Sequence, residues 1–381
     1  MLSKTFFFNS VDELISQKDA LKAFAPSLLI VYASAPLLTS SQLHHTLNDV
    51  CINCVGCSTA GEISANRVAT NGISIVVVRF QSESSVKIHQ TTLPDMPSSF
   101  DTGHSLASMI ELRGLKSVYL LAPGVEINGS ALLEGMMTRL PQHIGISGGL
   151  AGDNGAFEQT YILHPDGIDS RSVVAVAFYG DYLTFDYGAR GGWRSFGPAR
   201  RVASAEANLL FELDDKPALE IYKAYLGEYA DDLPASGLLF PFEVLNEEGE
   251  PTGIIRTILG VDEQRKSLVL AGEVNENQYL RLMNASTEDL ISGAIEAIAP
   301  ISQKNIDDDS HCLALVTSCV GRKLVMGDRV EEEIEEVARQ LNNNTTIAGF
   351  YSYGEISPSC NETQCELHNQ TLTLMLMREK H

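Results

Sequence analysis

The sequence predicts an α/β fold, with two α/β domains that contain repeated strand-helix-strand units and mixed sheets. Three continuous apolar runs bounded by turn residues are typical of buried parallel strands: residues 28–34, 117–123 and 312–318. Each run is followed by a helical pattern, a second apolar run and a Gly-rich turn. The chain therefore contains three copies of one βαβ unit, and right-handed crossovers onto shared sheets are expected.

The helical segments lie between the two strands of each unit, at residues 42–50, 131–140 and 329–341. The third segment, "RVEEEIEEVARQL", has apolar residues three and four positions apart, as on an amphipathic helix. These apolar residues are Val330, Ile334, Val337 and Leu341. A helix is therefore predicted at the same place in every copy.

The second and third copies are separated by a long insert. A return strand is predicted after every Gly-rich turn, because another apolar run follows each of them. The insert, residues 181–301, contains short strand-like pieces such as "TGIIRTILGV" and "KSLVLAGEV". We predict a first domain over residues 1–180 and a second over residues 181–381, which begins with some antiparallel sheet and closes with the third unit.

Composition and charge restrict the function classes. The chain has 381 residues, 44% of them hydrophobic, and a formal net charge of −22. Phosphate backbones and anionic lipids would repel it, so we expect no nucleic-acid binding. No apolar stretch approaches the roughly 20 residues of a membrane span, and we expect no membrane insertion. An odd number of cysteines suits free thiols in a reducing compartment, so a cytoplasmic protein is expected.

The Gly-rich turns are the main candidates for a binding site. Each follows the carboxyl end of a predicted strand, the edge where open α/β sheets bind ligands. Glycines allow a ligand to approach the backbone, and Glu62, Asp153 and Glu355 would each place a carboxylate at the rim of a cleft. The alternative is architectural: the glycines turn the chain and each acid caps the following turn.

Five motifs stand in a fixed order along the chain: "GCSTAGEI", "GGLAGDN", "GW…FGP…ELDDKPALEIY", "CVGR" and "GFYSYGEISP…LHNQTLTL". In order and spacing they resemble the FIST family of bacterial sensory proteins, over almost the whole chain. The resemblance implies a FIST N and a FIST C domain in a non-enzymatic signal-input protein that binds a small ligand. No output domain follows the last predicted strand, so we expect signalling in trans through a histidine kinase or another signalling protein.

The same resemblance extends to the ligand. Some stand-alone FIST proteins resemble nitric-oxide sensors that bind haem and regulate a hybrid histidine kinase, so haem and nitric oxide are favoured. Haem needs an axial ligand, and the candidates are His368 in "LHNQTLTL" and His143 before the second turn. An amino acid or another small metabolite is the alternative ligand.

The predicted ligand cleft combines the three turns with two flanking segments. In "GGWRSFG", an arginine beside the single tryptophan could clamp a carboxylate or propionate. Replacing Glu62 or Glu355 by Ala is expected to weaken binding and to leave thermal stability nearly unchanged. The predicted ligand-binding residues are Gly56, Cys57, Ser58, Thr59, Gly61, Glu62, Gly148, Gly149, Gly152, Asp153, Trp193, Arg194, Tyr353, Gly354, Glu355, His368 and Asn369.

Cysteine spacing raises a metal or redox alternative. "CINCVGC" places Cys51, Cys54 and Cys57 at a spacing found in zinc and iron–sulfur sites. On a strand Cys54 would face away from the other two, which would lie about 20 Å apart, so core thiols are predicted. Cys360 and Cys365, in the loop "SPSCNETQCE", are predicted to be exposed and redox-sensitive. This loop is also the predicted partner contact.

A serine hydrolase is the alternative from another function class. "GISGG" places Ser147 in the Gly-x-Ser-x-Gly pattern of a nucleophile elbow, directly after a predicted strand. The pattern then continues with Gly and Asp rather than with an apolar-faced helix. "GCSTAG" does not match, because Ala60 occupies the last glycine position. Nucleotide binding has no motif.

Overall fold

The three predicted units are present in the computed structural model, which describes residues 1–302, 311–358 and 365–380. Their helices begin and end within a few residues of the predicted bounds. The first unit consists of β1 (Leu2–Phe8), α1 (Val11–Ser16), α2 (Lys18–Ala23), β2 (Leu28–Ala33), α3 (Ala35–Leu38), α4 (Ser41–Asn48), β3 (Cys54–Ser58), β4 (Glu62–Ser64), β5 (Arg67–Ala69) and β6 (Ile73–Arg79).

The second unit repeats this order with a single helix between its parallel strands. It consists of β7 (Ser85–Thr92), α5 (Ser99–Ser108), β8 (Leu115–Ala122), α6 (Gly129–Met137), β9 (Gly145–Leu150), β10 (Ile162–His164), β11 (Gly167–Asp169) and β12 (Ser172–Tyr179). A short 3-10 helix, Met96–Ser98, precedes α5.

The third unit begins with β13 (Leu183–Arg190), and the insert follows directly. The insert consists of β14 (Arg194–Ser195), β15 (Arg200–Glu206), β16 (Leu209–Leu213), β17 (Lys216–Pro217), α7 (Ala218–Leu226), β18 (Phe242–Leu245), β19 (Pro251–Arg256), β20 (Ile258–Asp262), β21 (Ser267–Leu270) and β22 (Tyr279–Asn284). The unit then continues with α8 (Thr287–Ser302), β23 (Cys312–Cys319), α9 (Val320–Met326), α10 (Glu331–Gln340), β24 (Thr345–Ser352), β25 (Gly354–Pro358), β26 (Cys365–His368) and β27 (Leu372–Glu379).

Each unit builds a six-stranded mixed sheet around its parallel pair: β2 with β3, β8 with β9, and β23 with β24. The return strand β6, β12 or β27 lies antiparallel beside the first strand of the pair, and β1, β7 or β13 completes that side. The mixed α/β fold class is therefore confirmed.

The other side of each parallel pair is completed by a hairpin from a different unit. The second unit supplies β10–β11 to the first sheet, the third supplies β25–β26 to the second, and the first supplies β4–β5 to the third. The three units thus exchange hairpins in a closed cycle. Two of these pairings join a strand before residue 180 with a strand after it. The predicted domain division at residue 180 remains a prediction.

The insert forms a sheet of its own with nine strands, and all its pairings are antiparallel. This agrees with the antiparallel sheet predicted for the start of the second half. Helix α7 packs on this sheet through Leu219 and Tyr222, which share one buried cluster with Val202 and Leu268.

A single buried cluster combines residues from all three six-stranded sheets. Tyr32 and Cys57 come from the first sheet, Tyr119 from the second, and Phe350 and Met375 from the third. The hydroxyls of Tyr32 and Tyr119 are 2.7 Å apart and fully buried. The units therefore share one core and each contributes one face of its sheet to it.

One glycine in each copy of the Gly-rich segment has a packing role. Each lies on the second strand of a parallel pair, where an added Cβ would overlap a carbonyl oxygen of the first strand. The distances from that Cβ are 2.1 Å to Val31 O for Gly56, 2.0 Å to Leu120 O for Gly148 and 1.8 Å to Val316 O for Gly349. The repetition of these glycines thus follows from close strand approach.

Gly349→Ala is expected to lower the free energy of unfolding by about 3 kcal/mol, because backbone atoms of two buried strands must separate. Urea unfolding monitored by circular dichroism measures this change. Gly167→Ala is the matched control, because a Cβ there would meet nothing closer than His164 Cε1 at 3.8 Å. Equal stability of the two variants would contradict the packing role.

Candidate ligand-binding site

The three Gly-rich turns meet at one end of the shared core. Their backbones bond to one another, so the N–H groups expected to hold an anion are partly used between the turns. These bonds are Ala60 N to Tyr351 O (2.8 Å), Gly152 N to Ser58 O (2.9 Å) and Tyr353 N to Leu150 O (3.1 Å). The structure brings the predicted turns together, but as a packed junction.

The acids of the first and third turns are fully buried inside this junction. Ser352 Oγ donates to one carboxylate oxygen of Glu355 (2.7 Å), and Thr371 N and Oγ1 donate to the other (3.1 and 3.0 Å). Thr59 Oγ1 donates to Glu62 in the same way (2.6 Å). Burial raises the pKa of both carboxyls to about 7, against these hydrogen bonds. The expected position at a cleft rim is wrong for Glu62 and Glu355.

Asp153 is not the structural equivalent of these two acids. Each of these acids lies on the hairpin strand that pairs with a neighbouring sheet: Glu62 pairs with Phe350, and Glu355 pairs with Gly149. In the hairpin of the second unit, Ile162 occupies the corresponding position, because it pairs with Cys57 in the same register. Asp153 lies in an additional loop before β10. The three turns are therefore structurally equivalent at their glycines but not at their acids.

A cavity of about 110 Å³ opens beside the third turn, between the start of α6 and the sheet of the insert. The second unit, the insert and the third unit all contribute residues to it, and most of its wall is apolar. It is lined by Met96, Gly124, Ile127, Asn128, Gly129, Leu150, Ala207, Asn208, Leu259, Leu270, Ala271, Gly272, Glu273, Tyr353 and Leu367. Tyr353 is a predicted ligand-binding residue that lies in this wall.

The polar groups of the cavity carry charges of opposite sign. Asn128 caps α6 by accepting from Ala131 N (3.1 Å), and its Nδ2 donates to Glu273 Oε1 (2.9 Å). The first-turn N–H groups of Gly129 and Ser130 have no partner within the helix, and the helix dipole gives this end a partial positive charge. A carboxylate and a donor-rich helix end thus share one small cavity.

A buried cation lies behind the wall of the cavity. Arg256 is 7% exposed, and its Nε donates to Glu273 O (3.0 Å). An added Cβ on Gly272 would lie 2.8 Å from the guanidinium carbon, which places the charge directly under the backbone of the wall. Burial lowers the pKa of Arg256 to about 10. The residue stays charged at neutral pH and places a buried positive charge behind the Gly272–Glu273 backbone.

Trp193 and Arg194 of the "GGWRSFG" segment do not line this cavity. Trp193 is buried against Met283 and Leu290, and its Nε1 donates to Gln370 O (2.8 Å). Arg194 is exposed and forms an ion pair with Asp289 on the surface. Trp193 therefore has a packing role, and Arg194 is engaged outside the cavity.

The histidine candidates lie at different places. The His368 side chain is half-buried, its Nε2 is 3.2 Å from Ser357 O, and desolvation lowers its pKa to about 4. Asn369, beside it, is buried. His143 is exposed at the start of β9, about 20 Å from the Gly-rich turn at the other end of that strand.

The cysteines of "CINCVGC" pack in two different clusters. Cys57 belongs to the core shared by the three sheets, whereas Cys54 faces the helices on the other side of β3, as predicted. Cys51 precedes β3 and packs on the same side as Cys54, which corrects the predicted alternation at that residue. Within residues 1–302, 311–358 and 365–380, no group of three His, Cys, Asp or Glu side chains could hold a metal ion.

Two further predictions concern the loop of residues 357–366. Cys365 is buried, and its sulfur accepts from Ile146 N (3.1 Å), so the predicted exposure of this thiol is wrong. Cys360 and most of the predicted partner-contact loop lie outside the described residues.

Ser147 does not form a nucleophile elbow. It lies within β9 rather than at a strand-to-helix turn, and it is 4% exposed. Its hydroxyl donates to Met375 Sδ (2.9 Å), and a thioether cannot act as the general base that such a nucleophile needs.

Comparison with known proteins identifies the family. The FIST N domain matches residues 27–216, and the FIST C domain matches residues 218–358. The chain belongs to the FIST family. Membership confirms the resemblance seen in the motifs and indicates a signal-sensing role for this FIST protein. Among the described residues, no helix is both long and apolar enough to cross a membrane.

More distant similarities are weak. The FIST protein is 23% identical over 241 residues to an uncharacterized protein of Methanocaldococcus jannaschii, covering 56% of this chain and 45% of that protein. It thus spans about half the length of this curated relative. Two solved cyanuric acid hydrolases, one from A. caulinodans, are 8% and 6% identical to this chain, with TM-scores of 0.36 and 0.35. The alignments cover 100% of this chain and at least 99% of each hydrolase chain. Scores this low support no argument about function.

Sequence reasoning missed most of the cavity. Asn128 had a readable signal, because "NGS" directly before an apolar helical pattern is typical of an N-cap. Glu273 and Arg256 lie in the insert, outside any motif, and reach the cavity only through the tertiary fold.

Proposed function

We propose that this FIST protein senses a small zwitterionic metabolite, of the size of an amino acid, in the cavity between α6 and the insert. The observation that carries the proposal is the pairing of a carboxylate with a helix N-terminus in one cavity with apolar walls. The protein would pass the signal in trans to another signalling protein, for which a histidine kinase is our candidate. The proposal assigns no catalysed reaction to the chain.

The size of the cavity limits the ligand. An apolar cavity of about 150 Å³ holds a benzene molecule, which has six heavy atoms, so a cavity of about 110 Å³ suits a ligand of about four to six heavy atoms. Small amino acids fall in this range.

The charges of the cavity suit the two ends of an amino acid. The Glu273 carboxylate would accept from the ammonium group of the ligand. The first turn of α6 would donate to the carboxylate, as helix N-termini do for many anions. Leu270 and Leu367 would contact an apolar side chain. A ligand with a single charge would bind either Glu273 or the first turn of α6, but not both.

Haem, the ligand favoured by the family resemblance, fits these residues less well. It has roughly 40 heavy atoms, several times what a cavity of this size holds. Among the described residues the two histidine candidates do not converge: His368 is half-buried with its Nε2 3.2 Å from Ser357 O, and His143 is exposed before the far end of β9. We therefore favour the smaller ligand.

The proposal predicts specific binding of at least one standard L-amino acid. Thermal-shift measurements with each amino acid separately select the ligand, and calorimetry gives its affinity. Ala271→Leu, which fills the cavity, should weaken binding at least about tenfold. Ala20→Leu adds the same atoms at an exposed site on α2 and should bind as the wild type does. Equal binding by the two variants would contradict the site.

The role of the carboxylate has its own matched pair. Glu273→Gln should weaken the same amino acid about tenfold, because the ammonium group loses its charged acceptor. Glu276→Gln removes an exposed carboxylate three residues away and should change the affinity little. If no amino acid binds and haemin does, the haem alternative replaces this proposal.

A further inference from the structure

A loop at residues 153–159, here called the Asp153 loop, is organised around a side chain from the third unit. Tyr353 Oη accepts from Gly155 N (2.8 Å) and Asp153 N (3.2 Å), and it donates to the Asp153 carboxylate. The rings of Tyr353 and Phe157 stack with centroids 4.0 Å apart. One side chain thus contacts Asp153, Gly155 and Phe157 of the loop.

The Asp153 loop depends on such contacts for its conformation. The Asp153 carboxylate accepts from the backbone N–H groups of Phe157 (2.8 Å), Glu158 (2.8 Å) and Gln159 (2.9 Å). Asn154 and Phe157 have φ values of 60° and 54°, a left-handed region that costs free energy for residues other than glycine. The bonds of the Asp153 carboxylate and the bonds to Tyr353 together compensate for this cost.

Tyr353 lies between this loop and the proposed ligand cavity. Its ring is 6% exposed and forms part of the cavity wall together with Leu150 and Leu367. An added Cβ on Gly124, also in that wall, would lie 2.9 Å from the ring. A ligand in the cavity would therefore contact a ring whose hydroxyl holds the loop.

On its outer side the Asp153 loop borders a second, open and polar cavity of about 340 Å³. Glu158 and Gln159 of the loop line it together with Glu126 and Arg171. Any change in the loop would change the shape and charge arrangement of this surface.

We propose that Tyr353 transmits occupancy of the ligand cavity to the Asp153 loop, so that ligand binding changes the order of this loop at the protein surface. The inference rests on the proposed function, whose ligand occupies the cavity. A ligand that packs on the ring favours the ring position that holds the loop, so its differential affinity shifts the loop toward the ordered state. The coupling connects two sites on opposite sides of one side chain.

Hydrogen–deuterium exchange of the peptides that cover residues 153–159 tests the coupling. A mixture of the standard L-amino acids should slow exchange of the loop several-fold in the wild type. Tyr353→Phe keeps the ring and removes the hydroxyl, so loop exchange should be faster without ligand, and a saturating mixture should no longer slow it. Tyr161→Phe is the control, because the Tyr161 hydroxyl donates to the Gln159 side chain and not to the loop backbone.

The outcomes separate the coupling from the proposed function. If calorimetry shows binding that Ala271→Leu abolishes, and loop exchange does not respond, the coupling is wrong and the ligand site stands. If no amino acid binds, the proposed function is wrong, and the cavity-filling Ala271→Leu then decides the coupling. If Ala271→Leu changes hydrogen exchange of the loop, and the change disappears when Tyr353→Phe is also present, the coupling is supported. If Ala271→Leu leaves loop exchange unchanged, the coupling is wrong.

Discussion

Arg322→Met is expected to lower the free energy of unfolding by about 4 kcal/mol, one of the largest effects of any single substitution in this chain. Arg322 and Glu333 form a fully buried ion pair. Ser318 Oγ and Tyr351 Oη also donate to Glu333 (3.0 and 2.9 Å), and Arg322 donates to Leu290 O (2.9 Å). The methionine would leave a buried carboxylate without its cation.

Two controls separate this effect from ordinary charge removal. In Arg322→Met combined with Glu333→Leu, no charge is left unpaired, so much of the lost stability should return. Arg329→Met removes an exposed arginine that pairs with Glu288 and Glu332, and its Tm should stay close to that of the wild type. If Arg322→Met and Arg329→Met unfold at the same urea concentration, the buried pair does not have this role.

The stability of the protein is expected to fall as the pH rises from about 5 to about 7.5. The pKa of Glu62 and of Glu355 is raised from 4.5 to about 7 by burial, so the folded state binds more protons than the unfolded state in this range. The stabilising contribution is fully present below pH 4.5 and is lost as the pH passes through 7. Each carboxyl should contribute roughly 2 kcal/mol to the decrease between pH 5 and 7.5, and the lowered pKa of His368 offsets a smaller part of it.

Urea unfolding at several pH values measures this dependence. The double variant Glu62→Gln and Glu355→Gln should lose most of the decrease between pH 5 and 7.5, whereas Glu134→Gln, at an exposed position on α6, should keep it. The same burial predicts that Ala substitutions at Glu62 and Glu355 destabilise the fold, contrary to the sequence-based expectation. A wild-type stability that rises over this pH range would contradict the burial of two protonatable carboxyls.

The units of the fold were predictable because each is encoded locally. Apolar runs, helical spacing and turn glycines identified the parallel pairs, and strand alternation separated Cys54 from Cys57. The cyclic exchange of hairpins was not predictable. β4 and β10 have three residues each, and pairs such as Ile63 with Gly349 join segments far apart in the chain.

The candidate site was predictable only in part, for a related reason. The sequence indicates that the three turns are equivalent, but it does not show that they close on one another and bury Glu62 and Glu355. The cavity gathers Asn128, Arg256, Glu273 and Tyr353 from different parts of the chain. No single stretch of sequence contains enough of them to form a motif.

A crystal structure of the protein with the amino acid that binds most tightly shows whether the cavity between α6 and the insert is the sensing site. We expect the ligand in this cavity, with its ammonium group at Glu273, its carboxylate at the first turn of α6, and contact with the Tyr353 ring. An amino acid found at another place, with this cavity unchanged and empty, would refute the proposed site.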